Sequence, residues 1–421
     1  MSTAGISSVE LQQALQDAVC NGNNTEIDQL VAEGADIYAK NNDGSTLLHW
    51  AAAKGQIHTL THLISMYSLD INAKDNHGTT ILHSAAANGQ LETITYLVST
   101  HKMNINDTIK DGSNILHLAV WSGHIQTVSY LISQFNMDIN AAIDDGRTAL
   151  HLSIQNNQFK TLLYLLSTYK MQVNARTKEG ATALHWAANN SYIQMMDSLL
   201  EHGADIHAKD NKGATILHWV AGNGQIYALN HLLSNYKMDV NTPNHRGETA
   251  LHVAACYGHK QAVNYLLKHG ANIHARDNSG FTALHWAAIS GYTDTFDYLL
   301  QQGADIHAKG DHASTVLHSA AVHGRVNMLT HLLSIHKMTI TLPNQKGETA
   351  LHIAACYGHK QAVDYLLEHS ANINTKDNNG LTPLHWAALN GHTATIGTLL
   401  QHGADISIRD NQGKLYSDYI D

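Results

Sequence analysis

The most prominent chemical feature of the sequence is its histidine, the side chain most often used for proton transfer and metal binding near neutral pH. There are 32 histidines in 421 residues. Eleven of them end a recurring motif that reads Thr-x-Leu-His in nearly every copy, beginning with Thr46-Leu-Leu-His49. The motif histidines are His49, His83, His117, His151, His185, His218, His252, His285, His318, His352 and His385. Their spacing is 33 or 34 residues throughout, and this regularity decides which chemistry they could perform.

A fixed period of this length predicts that each motif histidine belongs to a separate structural repeat. Packed helices lie roughly 10 Å apart, whereas zinc ligands must converge on one ion at about 2.1 Å. We therefore expect these histidines to form hydrogen bonds within the fold, and we predict no catalytic, metal-binding or cofactor-binding residue. The sequence also lacks His-Glu-x-x-His, Cys-x-x-Cys and the glycine-rich phosphate motifs. A pair of histidines that bridges adjacent repeats is the alternative.

Each repeat reads as two short helices and a connecting loop. The motif Thr is a favourable N-cap, and the Leu with the Ala-Ala pair that usually follows gives the first helix a close-packing apolar face. A glycine such as Gly55 predicts the left-handed turn that ends this helix. The second helix has helical apolar spacing, as at Ile57, Leu60 and Leu63, and a glycine-containing hairpin follows. One such unit cannot bury both of its faces, so neighbouring units must stack into a solenoid.

The motifs of the last complete repeat, Thr382-Pro-Leu-His385 through Gly403-Ala-Asp405, resemble those of the ankyrin repeat. The resemblance covers essentially the whole chain. It implies an all-α repeat solenoid in which helix-turn-helix units and β-hairpin loops stack into a curved superhelix. We expect a single domain over 1–421, with an N-terminal capping repeat at 7–40, eleven full repeats at 41–408 and a truncated C-terminal capping unit at 409–421. The full repeats are numbered 1 to 11 by their motif histidines.

The repeats of 34 residues carry one extra residue after the second helix. They read Ser-x-[Tyr/Phe/His]-x-[Met/Leu] there, as in Ser167-Thr-Tyr-Lys-Met171. The usual glycine is missing at this point. We therefore expect the aromatic or histidine side chain and the flexible Met or Leu to fill the gap by packing.

By resemblance, a partner protein should bind to the concave face, which combines the hairpin tips with the ends of the first helices. The residues that map to this face become more apolar in repeats 7 to 11, and aligned exposed apolar groups indicate interaction surfaces. Five of the six Trp residues directly follow a motif histidine, and we expect those five to pack between repeats. The predicted protein-binding residues are Trp121, Cys256, Tyr257, Phe281, Ile289, Val322, His323, Cys356, Tyr357, Leu381 and Leu389.

Composition narrows the classes of partner and compartment. The net charge is −10 and the basic residues are scattered, which disfavours nucleic acid as a partner. No apolar run is long enough to span a membrane, and Met1–Glu10 lacks the features of a secretory signal peptide. Only Cys20, Cys256 and Cys356 are present, which favours a reducing compartment. We expect a cytoplasmic monomer with a protein partner, no cofactor and no membrane insertion.

Two classes of function remain open in the sequence. The favoured one is a non-enzymatic protein-interaction scaffold, and a variant of it is an effector that an intracellular bacterium or virus delivers into the host cytoplasm to act on host proteins. The other class is a histidine-based metal-binding or enzymatic protein. The metal content of the purified protein would distinguish the two classes.

Repeats 4 and 5 are predicted to be the least stable part of the array. Asn157 and Ser191 replace the glycine that ends the first helix, and neither tolerates the left-handed conformation as well as glycine does. Ser153 also interrupts the small apolar pair in repeat 4. We expect backbone amides in 150–195 to exchange quickly. Repeat 9, where Ala313 replaces the hairpin glycine, is the alternative.

Overall fold

The computed structural model describes residues 7–420 and has 24 α-helices in consecutive pairs, with no extended strand in that range. The first helices of the pairs are α1 (Ser8–Asn21), α3 (Leu47–Ala53), α5 (Ile81–Ala87), α7 (Ile115–Ser122), α9 (Ala149–Gln155), α11 (Ala183–Asn189), α13 (Ile216–Gly222), α15 (Ala250–Cys256), α17 (Ala283–Ser290), α19 (Val316–Val322), α21 (Ala350–Cys356) and α23 (Pro383–Leu389). The second helices are α2 (Asn24–Ala32), α4 (Ile57–Tyr67), α6 (Leu91–His101), α8 (Ile125–Phe135), α10 (Phe159–Thr168), α12 (Ile193–Glu201), α14 (Ile226–Asn235), α16 (Lys260–Lys268), α18 (Thr293–Gln301), α20 (Val326–Thr330), α22 (Lys360–Glu368) and α24 (Thr393–Gln401). The predicted all-α repeat solenoid is thereby confirmed.

Helix α1 begins with a capping box. The backbone N–H of Ser7 donates to Oε2 of Glu10 at 2.9 Å, and the N–H of Glu10 donates to the Ser7 hydroxyl at 3.2 Å. These bonds satisfy two of the N–H groups that a helix start leaves unpaired. Leu15 and Val19 bury the other face of the helix, which packs on α3.

The core of each repeat lies between its two helices and along the row of first helices. In α15, Leu251, Ala254 and Ala255 are buried, and the small alanines let α15 pack directly against α17. The second helix covers the other side, where α18 buries Phe296 and Leu299. Each large apolar side chain buried in this way stabilises the fold by about 1.5–3 kcal/mol.

The first helices end in a left-handed residue that is usually glycine. Gly258 has φ of 73°, and a Cβ at this position would lie 2.5 Å from the ring of Tyr292. Glycine is therefore required there on both counts. Asn157 and Ser191 adopt the same left-handed conformation, with φ of 53° and 57°, as their places in the repeat predict.

The repeats of 34 residues close their extra turn with two side chains five positions apart. The rings of each pair meet edge to face, with centroids between 5.0 and 5.9 Å apart. In repeats 1 to 3 the residue that follows the second helix is left-handed without being glycine, as at Ser68 and Asn136. Met137 and Met238 are buried. Packing therefore replaces the glycine stop, as expected. The pairs are His62–Tyr67, Tyr96–His101, Tyr130–Phe135, Tyr164–Tyr169, His231–Tyr236 and His331–His336.

Repeat 9 departs most from the regular geometry. Its second helix α20 continues into a π-helical turn over His331–Ile335. Its hairpin places His312 and Ala313 in the left-handed region, with φ of 50° and 58°. Such π-turns are rare and occur often at functional sites.

Residue contacts divide the chain into two units. The first unit runs to Ala187 and also includes Gln194–Ile206, and the second consists of Ala188–Ile193 and the residues from His207 onward. The first unit holds α1 to α10, and the second holds α13 to α24. Within 7–420, no helix combines the length and the apolar character needed to cross a membrane.

Candidate protein-binding surface

The motif histidines use both ring nitrogens, and most of them link their repeat to the next one through Nε2. The backbone N–H of Thr46 donates to Nδ1 of His49 at 3.1 Å, so this nitrogen carries no proton. The proton therefore sits on Nε2, which donates to the carbonyl oxygen of Thr79 in the following repeat at 2.9 Å. Nε2 reaches a carbonyl oxygen 29 or 30 residues later in the same way at His151, His218, His252, His318, His352 and His385. At His83 and His117 the acceptor is a carbonyl oxygen only 24 residues later.

Burial keeps the motif histidines neutral. It lowers the pKa of His151 and of His285 to about 4, although the backbone carbonyl bonds act in the opposite direction. A buried neutral imidazole that uses both nitrogens for backbone bonds has no free position for a substrate or a metal. The geometry thus agrees with the structural role expected for these residues.

Three of the five tryptophans that follow a motif histidine bond to their own hairpins. The indole N–H groups of Trp219, Trp286 and Trp386 each donate to an aspartate nine residues earlier, at 3.0 to 3.1 Å. In the C-terminal segment, the hydroxyl of Tyr419 donates to Asp410 in the same arrangement, at 2.5 Å. Packing of these aromatic residues was expected, but the bond to the hairpin was not, because it joins residues whose contact depends on the hairpin path.

The predicted binding residues differ in how much surface they present. Trp121 belongs to the first unit, and all the others belong to the second. Ile289 and Leu381 are buried within the second unit, so the accessible surface is smaller than the sequence predicts. The exposed residues are Tyr257, His323, Tyr357 and Leu389, and the half-buried ones are Trp121, Cys256, Phe281, Val322 and Cys356.

Two tyrosines at equivalent places in repeats 7 and 10 form the most distinct part of this surface. Tyr257 and Tyr357 are 57% and 53% exposed. Each ring stacks on a histidine two residues later, with centroid distances of 6.4 Å to His259 and 6.3 Å to His359. The stacking holds an exposed aromatic ring in one orientation.

The supporting histidines are themselves fixed. Nε2 of His259 lies 3.0 Å from the carbonyl oxygen of Gly222, at the end of the preceding first helix. His359 makes the corresponding contact with Val322 at 2.8 Å. Each histidine is hydrogen-bonded to the neighbouring repeat, so the tyrosine ring stacked on it is already restricted. The tyrosine side chain therefore loses little conformational entropy when a partner binds.

A groove of about 650 Å³ lies beside Tyr257, across repeats 6 to 8 of the second unit. Trp219, Tyr257 and Tyr292 supply its aromatic walls. Asp210 accepts the Trp219 indole bond and Lys212 is exposed at the rim. Aromatic walls with a few polar groups are typical of a surface that accepts an apolar side chain of a partner.

Sequence reasoning missed Tyr292 as part of this surface. It stands directly after Gly291, where most repeats have a His or Gln, such as His259, which bonds to the preceding repeat. Tyr292 is exposed. The exchange of His or Gln for Tyr at this place, which also occurs at Tyr192, is the signal that could have identified it.

The cysteines do not add reactive chemistry to the surface. Cys256 and Cys356 are half-buried, and burial raises the pKa of both thiols. A thiol with a raised pKa is protonated at neutral pH and is a poor nucleophile.

A metal-ligating group lies away from this surface, between the second helices of repeats 8 and 9. Asp297, His331 and His336 each direct one ligand atom to a common point, and these atoms lie within 4.8 Å of one another. It is the one such group of three among residues 7–420. None of its members is a motif histidine, which is why repeat spacing gave no sign of it.

Comparison with known proteins identifies the repeats. The family model described as "Ankyrin repeats (3 copies)" matches residues 15–109, 99–177, 116–210, 169–244, 217–310 and 317–410. The crystal structure of the human ASB11 ankyrin repeat domain is similar to the chain, with 28% sequence identity and a TM-score of 0.43, over 49% of this chain and 92% of that one. No curated protein matches the sequence.

Proposed function

The chain belongs to the ankyrin-repeat family, and on that premise we propose that it is a non-enzymatic scaffold whose second unit binds a partner protein. Ankyrin repeats serve generally as protein-interaction modules. The proposed surface comprises Tyr257, Tyr292 and Trp219 around the groove, together with Tyr357 and Leu389 in repeats 10 and 11.

The observation that carries this proposal is the repeated Tyr–His stack. Two exposed aromatic rings occupy equivalent places in two repeats, and each is held in place by a bonded histidine. Exposed apolar groups that recur in this way indicate an interaction surface. Rigid Tyr side chains are enriched among the residues that dominate binding energy. The groove beside Tyr257 supplies the concave complement for an apolar side chain of the partner.

Loss of both rings should weaken binding without unfolding the protein. The full-length chain is used to capture a partner from cell extract, the partner is identified by mass spectrometry, and its Kd is measured with purified components. We expect Tyr257→Ala combined with Tyr357→Ala to raise Kd about 30-fold or more, because truncation of an aromatic anchor commonly costs about 2 kcal/mol.

The matched control is Tyr227→Ala, since Tyr227 is 83% exposed on the second helix α14 and lies outside the proposed surface. It should leave Kd unchanged. Equal affinity of the double variant and the wild type for the identified partner would refute the proposed surface. Circular dichroism of each variant checks that the fold is kept.

A further inference from the structure

We propose that Asp297, His331 and His336 form a binding site for a divalent transition-metal ion, with Zn²⁺ as the expected ion, that joins the second helices of repeats 8 and 9. The proposal is independent of protein binding at the tyrosine surface. It rests on the convergence of three ligand atoms, on an internal comparison within the chain, and on the local shape of repeat 9.

The three side chains already point at one another. Nε2 of His331 lies 2.6 Å from Oδ1 of Asp297, and Nε2 of His336 lies 3.0 Å from the same oxygen. Ligand atoms that bind Zn²⁺ tetrahedrally at about 2.1 Å lie roughly 3.4 Å from each other. Each atom therefore needs to retreat by less than about 1 Å to admit an ion.

The donor set suits zinc and its neighbours among the transition metals. Two imidazole nitrogens and one carboxylate oxygen are borderline ligands, which favour Zn²⁺ over Mg²⁺ or Ca²⁺. Three protein ligands leave a fourth position for water. The side chains of His331, His336 and Asp297 are 12%, 22% and 37% exposed, so an ion can reach the site from solvent.

The surroundings hold the ligands in position. Phe296 is fully buried beneath the site, and the rings of His331 and His336 meet it at steep angles, with centroids 6.4 and 5.7 Å away. Both histidines bond to the same oxygen of Asp297, which keeps the three ligand atoms together.

A second place in the chain has the same arrangement with one ligand replaced. Asp28 in α2 accepts from Nε2 of His62 at 2.7 Å and from the hydroxyl of Tyr67 at 2.6 Å, both on the same oxygen. The pattern of one carboxylate between two side chains five positions apart therefore occurs at two places in the array. Only the exchange of Tyr for His at the second position supplies a third ligand of the kind that zinc prefers.

The π-turn accompanies this exchange. The backbone N–H of His336 bonds to the carbonyl of His331, five residues earlier, at 3.3 Å. The two imidazoles lie 5.0 Å apart, against 5.9 Å for the rings of His62 and Tyr67.

The test is a titration of the metal-free full-length chain with Zn²⁺, in competition with a chromophoric chelator. We expect one tight equivalent in the wild type. His336→Tyr restores the pairing found at Asp28 and should weaken that equivalent about 100-fold or more, since loss of a direct ligand exceeds the 10- to 100-fold effect of losing a supporting one. His274→Tyr is the matched control, because His274 is exposed and outside the site, and it should bind as the wild type does.

Two further measurements separate the site from incidental binding at exposed histidines. Co²⁺ bound by the wild type should give the visible absorption of a low-coordinate site, and His336→Tyr should abolish it. Tyr67→His, which completes the second triad, should raise the stoichiometry from one to two. Absence of a tight equivalent in the wild type, equal binding by His336→Tyr, or no gain in Tyr67→His would each overturn the proposal.

Discussion

At the scale of single residues, histidine has two roles in this chain: hydrogen bonding within the fold and, in the site proposed above, metal binding. Most motif histidines are buried and bonded on both nitrogens, as His49 is to Thr46 and Thr79, although Nε2 of His285 has no hydrogen-bond partner among the described residues. His331 and His336 lie near the surface and share a carboxylate. Spacing alone predicted the first group because its contacts repeat with the period of the chain.

The second group could not be predicted in the same way. Asp297 is 34 residues from His331 and 39 from His336, so their contact depends on how two repeats stack and on a turn that has no separate sequence signature. Burial of Leu381 and Ile289 was missed for the same reason. Their positions in the repeat suggested exposure, but the packing of the neighbouring hairpin and helix decides it.

The buried histidines should make the protein sensitive to acid. The pKa of His151 in the folded state is about 4, below the ordinary value of 6.5. Between these values the unfolded chain binds more protons than the folded one, so stability is lost as pH falls from about 6.5 towards 4. The full contribution of one such residue is on the order of 3 kcal/mol.

Urea unfolding between pH 7.5 and pH 5 measures this effect above the range in which most carboxylates titrate. We expect the midpoint to fall steadily across the interval. The variant His151→Gln should be less stable at pH 7.5 and should show a shallower pH dependence than the wild type. A midpoint independent of pH would contradict the neutral, buried state assigned to these histidines.

At the scale of the helix, the residue that ends the first helix sets local stability. Asn157 occupies a left-handed position with φ of 53° that glycine fills in most repeats. Ser191 does the same, but its hydroxyl also bonds to Gln225 at 2.9 Å. Ser153, which the sequence suggested as a packing defect, is satisfied by a bond to the carbonyl of Leu150 at 2.8 Å. Helix ends and caps were thus largely predictable, whereas the bonds that compensate for unusual residues were not.

Asn157→Gly should therefore stabilise the protein, and Asn157→Ala should destabilise it. Glycine adopts the left-handed conformation without strain, while alanine is strained by on the order of 1 kcal/mol. We expect thermal unfolding to rank the variants in the order Gly, Asn, Ala. If Ala were as stable as Asn, the left-handed backbone at this position would be in doubt.

The hydrogen bond between a hairpin aspartate and an aromatic side chain allows a second test of local stability. The Tyr419 hydroxyl donates to Asp410, and this bond raises the pKa of Tyr419 to about 12. Tyr419→Phe keeps the ring and removes the donor, so it should lower the stability of the C-terminal segment by about 1 kcal/mol. Hydrogen exchange of residues 409–420 measures the change, and Tyr416→Phe serves as a control in the same segment.

At the scale of the whole molecule, stability is expected to vary along the chain. A repeat array sums the stabilities of its units and of the contacts between neighbours, so a run of weak units can open while the rest stays folded. Ser191 falls within the boundary between the two units, which lies within 187–207, and Asn157 lies in the repeat before it. By contrast, residues 250–290 and 350–390 carry the regular motif and the nearly identical segments 248–263 and 348–363.

Backbone amides in 150–195 should therefore exchange faster than those in 250–290 and 350–390. Native-state hydrogen exchange followed by mass spectrometry resolves these segments. Repeat 9 is an internal reference, because its left-handed His312 and Ala313 lie in a hairpin rather than at a packed helix end. If 150–195 were among the best protected segments, contacts between neighbours would outweigh the helix-end substitutions.

The histidine links also determine when each repeat can complete its hydrogen bonds while the chain is synthesised at the ribosome. Nε2 of His49 bonds to a carbonyl 30 residues later, and that of His385 to one 29 residues later. At about 5–20 residues per second, the acceptor is translated roughly 2–6 s after the histidine. Where the acceptor lies in the next repeat, a nascent repeat must therefore wait for its successor before Nε2 of its motif histidine is hydrogen-bonded. In the last full repeat, the acceptor for Nε2 of His385 is the carbonyl oxygen of Lys414. The short C-terminal segment therefore supplies the hydrogen bond that completes this repeat.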